Sequence, residues 1–422
     1  MSNPETLSEW LHRKVTLLSD INPEAPLDDL EPLRDIVGDA RVVALGEGAH
    51  FIEELWTLRQ RLVRFLHERM GFNVVAAEFD LREGDALDGW LADPSDPRQL
   101  REVSVGAADW GMATTCQWLR SWQATHGRRI RFAGLDAPNG GAAFLATLRP
   151  LAGFLREVDP ASAPLLDRIE RIASALAGTS VARSADAWRE LGEAQQDALT
   201  AGFARLRQRV HALEHVFAEK SDRARVELAR RDLAALECAD FALRANDAMH
   251  RGAEAPLDMS VRDRFMADRM LELLDREPGS RVVLLAHNGH IQKRPVVWGD
   301  YLSAHPLGLY LHRALGEGYR AIGSTTTGDI TSEMKLDPAA EVGFLVVAAP
   351  LGPPAPGGVE AALVAGGLGG SLALCDLRGA AAAGVAFERI RAQSGYLTLD
   401  VTAGYDAVIS VPRLTVQRDL GF

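Results

Sequence analysis

The stretch RVVALGEGAHFIEELWTLRQRLVRFLHERM, residues 41–70, decides the fold class. It begins with a short β-branched apolar run, passes through glycine and polar residues at 46–50, and continues with apolar residues at helical spacing. A continuous rather than alternating apolar run is typical of a strand covered on both faces, as in a parallel sheet. The stretch therefore predicts a buried strand, a polar turn and an amphipathic helix over 53–70.

Six further runs of the same kind follow along the chain, and helical patterns lie between many of them. Strands that alternate with helices are typical of βαβ units. The predicted strands are 41–45, 73–77, 130–135, 281–286, 319–323, 344–348 and 406–411. The sequence thus predicts an α/β fold with a mostly parallel central sheet flanked by helices.

The segment 160–251 has a different character. Apolar residues recur there at helical spacing, charges are dense, and no strand-like run occurs. We interpret it as two or three long helices that form an inserted helical cap. The predicted catalytic core then comprises residues 1–155 and 256–422, with 156–255 as the insertion.

Two shorter segments carry local signals. Ser260 and Asp263 have the spacing of a capping box, so a helix is predicted to begin there, and Asp263 is assigned mainly to capping. The stretch 350–370 is rich in proline, glycine and alanine, which predicts a long loop or an irregular edge.

Composition narrows the class of protein. The 422 residues are 47% hydrophobic and 25% charged, as expected of a globular protein with a sizeable core. The net charge of −12 argues against nucleic-acid and anionic-membrane partners, and no stretch approaches the roughly 20 apolar residues of a membrane span. The three widely spaced cysteines and an N-terminus without an apolar signal core predict a reducing cytoplasm.

Polar side chains follow four of the predicted strands, at the point where each strand ends. They are Glu47 and His50, then Glu78, then Asp136, and finally His287, Asn288 and His290. Because the carboxyl ends of parallel strands share one edge of a sheet, these side chains are expected to converge there. Each also has a structural interpretation, since acids can cap strand and helix ends and Asn288 can hold its loop through local backbone bonds.

Two arginines add to this pattern. Arg59 lies within the apolar stripe of the predicted helix, where an unpaired charge is very costly, so it should pair with Glu47 or Glu78. Arg262 lies in the first turn of a predicted helix, where its charge opposes the helix dipole. That conflict is compatible with a role in the site or with a surface position.

Two common hydrolytic motifs are missing from the sequence. It has neither a Gly-x-Ser-x-Gly elbow nor a His-Glu-x-x-His zinc motif. The remaining hypothesis is that histidines and carboxylates activate water directly, without a covalent nucleophile.

The chain resembles the erythromycin esterase family in several ordered segments that span almost its whole length. These are VALGEGAH at 43–50, LRQRL at 58–62, GFNVVAAE at 71–78, WLR at 118–120, FAGLD at 132–136, VRDRFM at 261–266, AHNGH at 286–290, GEGYRAIG at 316–323 and GYDAVI at 404–409.

The resemblance implies hydrolysis of a macrolide lactone, and so antibiotic resistance, with His50 as the general base. The surrounding acidic, orienting and charge-stabilising groups would be Glu47, Arg59, Glu78, Arg262, His287 and His290. Family membership does not settle metal use, so we expect no cofactor and leave a divalent metal as an alternative. The expected partner is a small-molecule ester or lactone substrate. Asp136 and Asn288 are further candidates for substrate binding.

Two positions depart from the family pattern. The family commonly has glycine after the first motif histidine and Thr or Ser before it, where this chain has Phe51 and Ala49. Phe51 adds bulk beside the base and is a candidate substrate contact. These two changes therefore affect which substrate is expected.

Three alternatives accompany this interpretation. The first is a hydrolase for another ester, a lactone or an amide. The second is a metal-dependent site, with Glu47, His50, Glu78 and His287 or His290 as ligands. The third is a binding or biosynthetic protein without hydrolysis.

Overall fold

The computed structural model describes residues 6–109, 111–138, 140–176, 181–251, 260–298, 302–337, 339–340, 342–418 and 420. In these residues the strands are β1 (Val15–Leu17), β2 (Val42–Glu47), β3 (Val74–Asp80), β4 (Arg131–Asp136), β5 (Val282–His287), β6 (Val296–Trp298), β7 (Leu302–Ala304), β8 (Tyr319–Thr326), β9 (Ile330–Leu336), β10 (Phe344–Pro350), β11 (Ala373–Asp376), β12 (Arg389–Ala392), β13 (Gly395–Thr398) and β14 (Ala407–Val411).

The α-helices of the same residues fall between these strands. They are α1 (Leu7–Lys14), α2 (Pro32–Val37), α3 (Glu53–Met70), α4 (Leu81–Ala92), α5 (Leu100–Val103), α6 (Val105–Asp109), α7 (Ala113–His126), α8 (Gly141–Val158), α9 (Ala163–Ala173), α10 (Val181–Leu191), α11 (Glu193–Lys220), α12 (Arg223–His250), α13 (Ser260–Arg276), α14 (Asn288–Ile291), α15 (Leu307–Leu315), α16 (Val359–Ala365) and α17 (Val401–Gly404). None of these described helices is long and apolar enough to cross a membrane.

The central sheet has eight strands in the order β1-β11-β14-β8-β2-β5-β3-β4. The six strands from β14 to β4 are mutually parallel, whereas β11 runs antiparallel to both of its neighbours. The predicted mostly parallel sheet flanked by helices is therefore confirmed. Strand β2 lies near its centre, paired with β5 and β8.

The sheet is covered on both faces, which explains the continuous apolar runs. Every residue of β2 is buried. Val43 and Leu45 belong to the apolar cluster that includes α3 and α7, while Val42 and Ala44 belong to the opposite cluster with α13 and α15. Alternate side chains of one strand thus enter two different cores.

Helices dominate the segment for which the sequence predicted them. Two helices of 28 residues each, α11 and α12, follow the shorter α9 and α10. They share an apolar cluster with α8 and with Leu81, Ala137 and Phe265, which lie outside the segment. The helices therefore pack against the region beside the carboxyl ends of β3 and β4.

Two sequence predictions for residues 344–370 were wrong. The run 344–348 forms part of β10, which pairs only with β9 in a separate antiparallel hairpin instead of joining the sheet. Leu345 is 46% exposed, so this strand is covered on one side only. The stretch 350–370 contains the helix α16, whose Val359 and Leu363 are buried against the sheet.

Candidate active site

The carboxyl ends of four adjacent parallel strands form one edge of the sheet. Glu47 ends β2 and lies opposite His287, the last residue of β5, in the strand register. Glu78 lies in β3, and Asp136 is the last residue of β4. The structure thus brings together the strand-end residues that the sequence predicted to converge.

Glu47 joins the first of two charged networks at this edge. The His50 Nδ1 atom lies 2.7 Å from Glu47 Oε1, and Arg59 Nη1 donates a hydrogen bond of 2.8 Å to Glu47 Oε2. The other Arg59 amino group donates to the carbonyls of Leu45 and Ala286 at 3.0 and 2.5 Å. The prediction that inward-facing Arg59 pairs with Glu47 or Glu78 is confirmed for Glu47.

The partners of His50 set its protonation. Burial alone would lower its pKa, but the hydrogen bond and negative charge of Glu47 outweigh burial and raise it above the usual value. Burial would raise the pKa of Glu47, yet the charge of Arg59 holds that pKa below its usual range. Glu47 is therefore a carboxylate. In the neutral form of His50, the proton is on Nδ1 facing that carboxylate, which leaves the Nε2 lone pair available.

The second network is centred on His290. Its Nδ1 lies 2.7 Å from Asp263 Oδ1, and its Nε2 lies 3.2 Å from Glu78 Oε1. Arg262 completes the network, because it donates to Glu78 Oε1 at 2.8 Å and to both carboxylate oxygens of buried Asp136.

Two carboxylates make His290 a permanent cation. Burial opposes the charge, but Asp263 and Glu78 outweigh burial and raise the pKa of His290 to about 10. For Glu78, burial would raise the pKa, yet His290 and Arg262 hold it well below the usual value. Both nitrogens of the His290 ring are thus protonated and occupied by carboxylates at neutral pH.

His287 lies between the two networks and differs from both other histidines. Its ring centroid is 5.0 Å from that of His50. Burial and the neighbouring His50 lower its pKa to about 3, so it is neutral. Its Nδ1 accepts a hydrogen bond from the Gly289 amide, so the proton lies on Nε2, which has no hydrogen-bond partner among the described residues.

Asn288, the first residue of α14, connects the end of β5 to β8. Its side-chain amide group donates to the Ser324 carbonyl at 2.7 Å, and its Oδ1 accepts from the Ser324 amide at 3.1 Å. The prediction of local backbone bonds for Asn288 was wrong, because its side chain binds a backbone segment 36 residues away. A Cβ atom at Gly46 would lie only 2.1 Å from Asn288 Oδ1, so this close approach requires glycine.

Phe51 follows His50 with a backbone φ of 56°, a left-handed conformation that glycine adopts most readily. This explains why glycine suits this position in the family that the sequence resembles. The Phe51 ring is 1% exposed and packs with Val342 and Phe344 in a small apolar cluster. Its contacts are therefore with the protein interior, and a contact with substrate stays a prediction.

Sequence reasoning missed three residues of this site. Asp263, which the sequence assigned mainly to capping, also holds His290 and accepts from the Leu307 amide. Gln393 Oε1 accepts a hydrogen bond of 2.8 Å from the His50 amide, and the Ser332 hydroxyl donates to the His50 carbonyl. The Ser260–Asp263 spacing signalled a special role for Asp263, but no local pattern marks Gln393 or Ser332.

Two further observations concern ligands. In the part of the chain that the structure describes, no three His, Cys, Asp or Glu side chains are arranged to hold a metal ion. A cavity of about 640 Å³ is lined by residues of β9 and β10, by Ala340, by residues 414–418 and by Leu420, and these lining residues include none of the predicted site residues.

Comparison with known proteins extends the resemblance. The erythromycin esterase family model matches residues 67–414. Erythromycin esterase type II from Escherichia coli is 29% identical over 97% of this chain and 98% of its own length, and the type I enzyme from the same species is 28% identical over 91% and 93%.

Solved structures agree with this result. A histidine variant of the erythromycin esterase EreC, in its open conformation, superposes with a TM-score of 0.88 at 27% identity, covering 96% of this chain and 98% of that one. A succinoglycan biosynthesis protein shares the fold alone, with a TM-score of 0.73 at 20% identity and coverage of 97% and 96%. The chain therefore belongs to the erythromycin esterase family of carboxylic ester hydrolases.

Proposed function

We propose that this protein opens the lactone of an erythromycin-type macrolide by adding water across the ester, with His50 as the general base. The observation that carries the proposal is the His50–Glu47–Arg59 network. Glu47 fixes one nitrogen of the imidazole and raises its basicity, Arg59 fixes Glu47, and the other nitrogen is left for water. The His50 side chain is 28% exposed, so water can reach it.

In the first step His50 Nε2 removes a proton from water as the oxygen attacks the ester carbonyl. A tetrahedral intermediate forms, and its oxyanion needs a hydrogen-bond donor. The sequence left Arg59, Arg262 and a histidine as candidates. Both arginines already donate to carboxylates and Arg59 also to carbonyls, which favours His287, whose Nε2–H has no partner among the described residues.

In the second step the intermediate collapses and the carbon–oxygen bond to the alkoxide breaks. His287 and His290 are the other two histidines of the site and thus the alternative acids for protonating this alkoxide. His290 holds its protons between two carboxylates and neutral His287 is a very weak acid, so we propose that His50 returns the proton it took from water. The products are a carboxylic acid, which ionises at neutral pH, and an alcohol.

Other predicted features belong to the same proposal. Residues 156–255 would form a helical insertion that bounds the substrate side of the site, as supported by the ion pair between Arg82 at the start of α4 and Asp232 of α12. Asp136 and Asn288 would act indirectly, since both are fully buried. We further propose a role in macrolide resistance in the cytoplasm, where the buried, free Cys116, Cys238 and Cys375 would stay reduced.

The test is a mass-spectrometric panel of macrolides, simple esters, other lactones and amides, run with and without a chelator. Macrolide opening adds the mass of one water to the drug. Hydrolysis of only the non-macrolide esters would contradict the proposal that a macrolide is the substrate. A rise in melting temperature on ligand addition, with no product formed, would indicate a binding protein. Activity lost with the chelator and restored by a divalent metal would overturn the metal-free mechanism.

A further inference from the structure

The main chain of His50 is held on both sides by side chains from two separate hairpins. Gln393 lies in the two-residue turn between β12 and β13, and its Oε1 accepts from the His50 amide at 2.8 Å. Ser332, a fully buried residue of β9, donates its hydroxyl to the His50 carbonyl. Gln393 Nε2 in turn donates to the Ser332 carbonyl at 3.3 Å. We call this closed ring of three hydrogen bonds the main-chain clamp.

The clamp needs the amide of Gln393 in one orientation. The His50 amide is a donor and requires an oxygen, whereas the Ser332 carbonyl is an acceptor and requires an N–H group. Only a primary amide side chain of this length supplies both groups from one residue. Glutamate would match the first contact and oppose the second.

The backbone of Gln393 is constrained at the same place. Its φ is 50°, a left-handed conformation in which a non-glycine side chain is uncommon, and its amide donates to the Gly48 carbonyl at 2.7 Å. Glycine would suit this turn position better. A long polar side chain at a strained backbone position indicates that this side chain has a structural or functional role there.

We propose that Gln393 is a positioning residue that fixes the main chain of His50, so that the imidazole stays aligned with Glu47 and with the attacking water. The proposal rests on the proposed function and adds a residue to its machinery. Among the described residues the imidazole has one hydrogen bond, to Glu47, so its direction depends on where its backbone is held. Misplacement of a catalytic group by about 1 Å can lower the rate about 100-fold.

The test compares three substitutions at one position with a neighbour. Gln393→Met keeps the length and loses both polar contacts, Gln393→Gly also relieves the left-handed φ, and Gln393→Glu keeps only the acceptor. The control is Ser394→Ala, which alters an exposed side chain in the same turn. We expect kcat to fall about 10- to 100-fold for Met and Gly and less for Glu, with KM within about two-fold of wild type.

A spectroscopic readout makes the result independent of turnover. The Nδ1 protons of His50 and His290 both face carboxylates at 2.7 Å and should give separate downfield proton resonances. In Gln393→Met and Gln393→Gly the His50 resonance should weaken or move upfield, while that of His290 stays in place as an internal control.

The outcomes separate the two proposals. Unchanged kcat and an unchanged His50 resonance in the Met and Gly variants would overturn the clamp, as would an equal loss in Ser394→Ala or an equal shift of the His290 resonance. If the wild-type protein hydrolyses nothing in the panel, the proposed function fails. The His50 resonance in the Gln393 variants then tests by itself whether the main-chain clamp positions the imidazole. If Gln393→Met loses thermal stability and Gln393→Gly does not, while both lose kcat equally, the loss of kcat does not come from unfolding. That result would support the positioning role.

Discussion

His50 and His290 lie at the same edge of the sheet and are similarly exposed, at 28% and 23% of the side chain, yet their surroundings make them chemically opposite. His50 contacts one carboxylate, which is itself neutralised by Arg59. His290 contacts two carboxylates, one on each ring nitrogen. One carboxylate raises the pKa of His50, whereas two carboxylates raise the pKa of His290 to about 10 and keep it charged at neutral pH.

The comparison teaches that burial lowers the pKa of each of these histidines, and that the number of carboxylate partners decides whether the pKa is raised again. His287 extends the series, since it has no carboxylate on either nitrogen and its pKa falls to about 3. In the proposed mechanism the three histidines would serve as a base, a neutral donor and a cation. Substitutions that change one partner at a time test this assignment.

The largest effect is expected from removing the base. His50→Ala should lower kcat about 10²- to 10⁴-fold, the range ascribed to general base catalysis, while the fold persists because His50 is at the surface of the site. Steady-state kinetics and circular dichroism measure the two parts. The matched control is His211→Ala on α11, an exposed histidine that should leave kcat unchanged. A fully active His50→Ala variant would remove His50 from the mechanism.

A smaller effect is expected from neutralising the one acid of His50. Glu47→Gln should lower kcat about 10- to 100-fold, since orientation is lost. The pKa of His50 should fall because the charge that raises it is gone, so the rise of activity with pH should begin at lower pH. Arg59 would also be left without its counter-ion, at a cost of about 3–5 kcal/mol of folding stability.

The pH–rate profile and thermal melting measure these changes. Glu53→Gln, an exposed acid in the first turn of α3, is the control. A pH–rate profile that does not move in Glu47→Gln would contradict the pairing of Glu47 with His50.

The smallest effect is expected in the pH dependence of stability. Between pH 6.5 and about 10, folded His290 keeps a proton that the unfolded chain has released. Its stabilisation is therefore complete below pH 6.5 and is lost as the pH rises through about 10, with a slope of at most about 1.4 kcal/mol per pH unit. His290→Gln should remove that slope in urea titrations over this range, and His211→Gln should keep it. A slope that persists in His290→Gln would assign it to another group.

The sequence predicted those parts of the site that are set by strands. Glu47, Glu78, Asp136 and His287 each end or nearly end a buried apolar run, so their convergence followed from a parallel sheet. The pairing of Arg59 followed from its place in an apolar stripe. In both cases a local pattern carried the information about a distant contact.

The residues that were missed lack such a pattern. Gln393 and His50 are 343 positions apart and meet through one amide and one backbone group, a contact that leaves no periodicity in either segment. Asp263 was assigned to capping because its spacing from Ser260 matches a capping box, so its contact with His290 was not predicted. The run 344–348 is apolar because it covers the Phe51 cluster, and apolar character alone does not distinguish a central strand from a hairpin packed on one side.

The close approach of Gly46 and Asn288 has a consequence for laboratory evolution of substrate range. Because a Cβ atom at position 46 would lie 2.1 Å from Asn288 Oδ1, the end of β2 and the start of α14 cannot be varied independently. Libraries that vary position 46 while keeping Asn288 should lose packing at this edge of the sheet. Changing the two segments together, or taking them as a matched pair from a relative, is the route by which this edge can be reshaped.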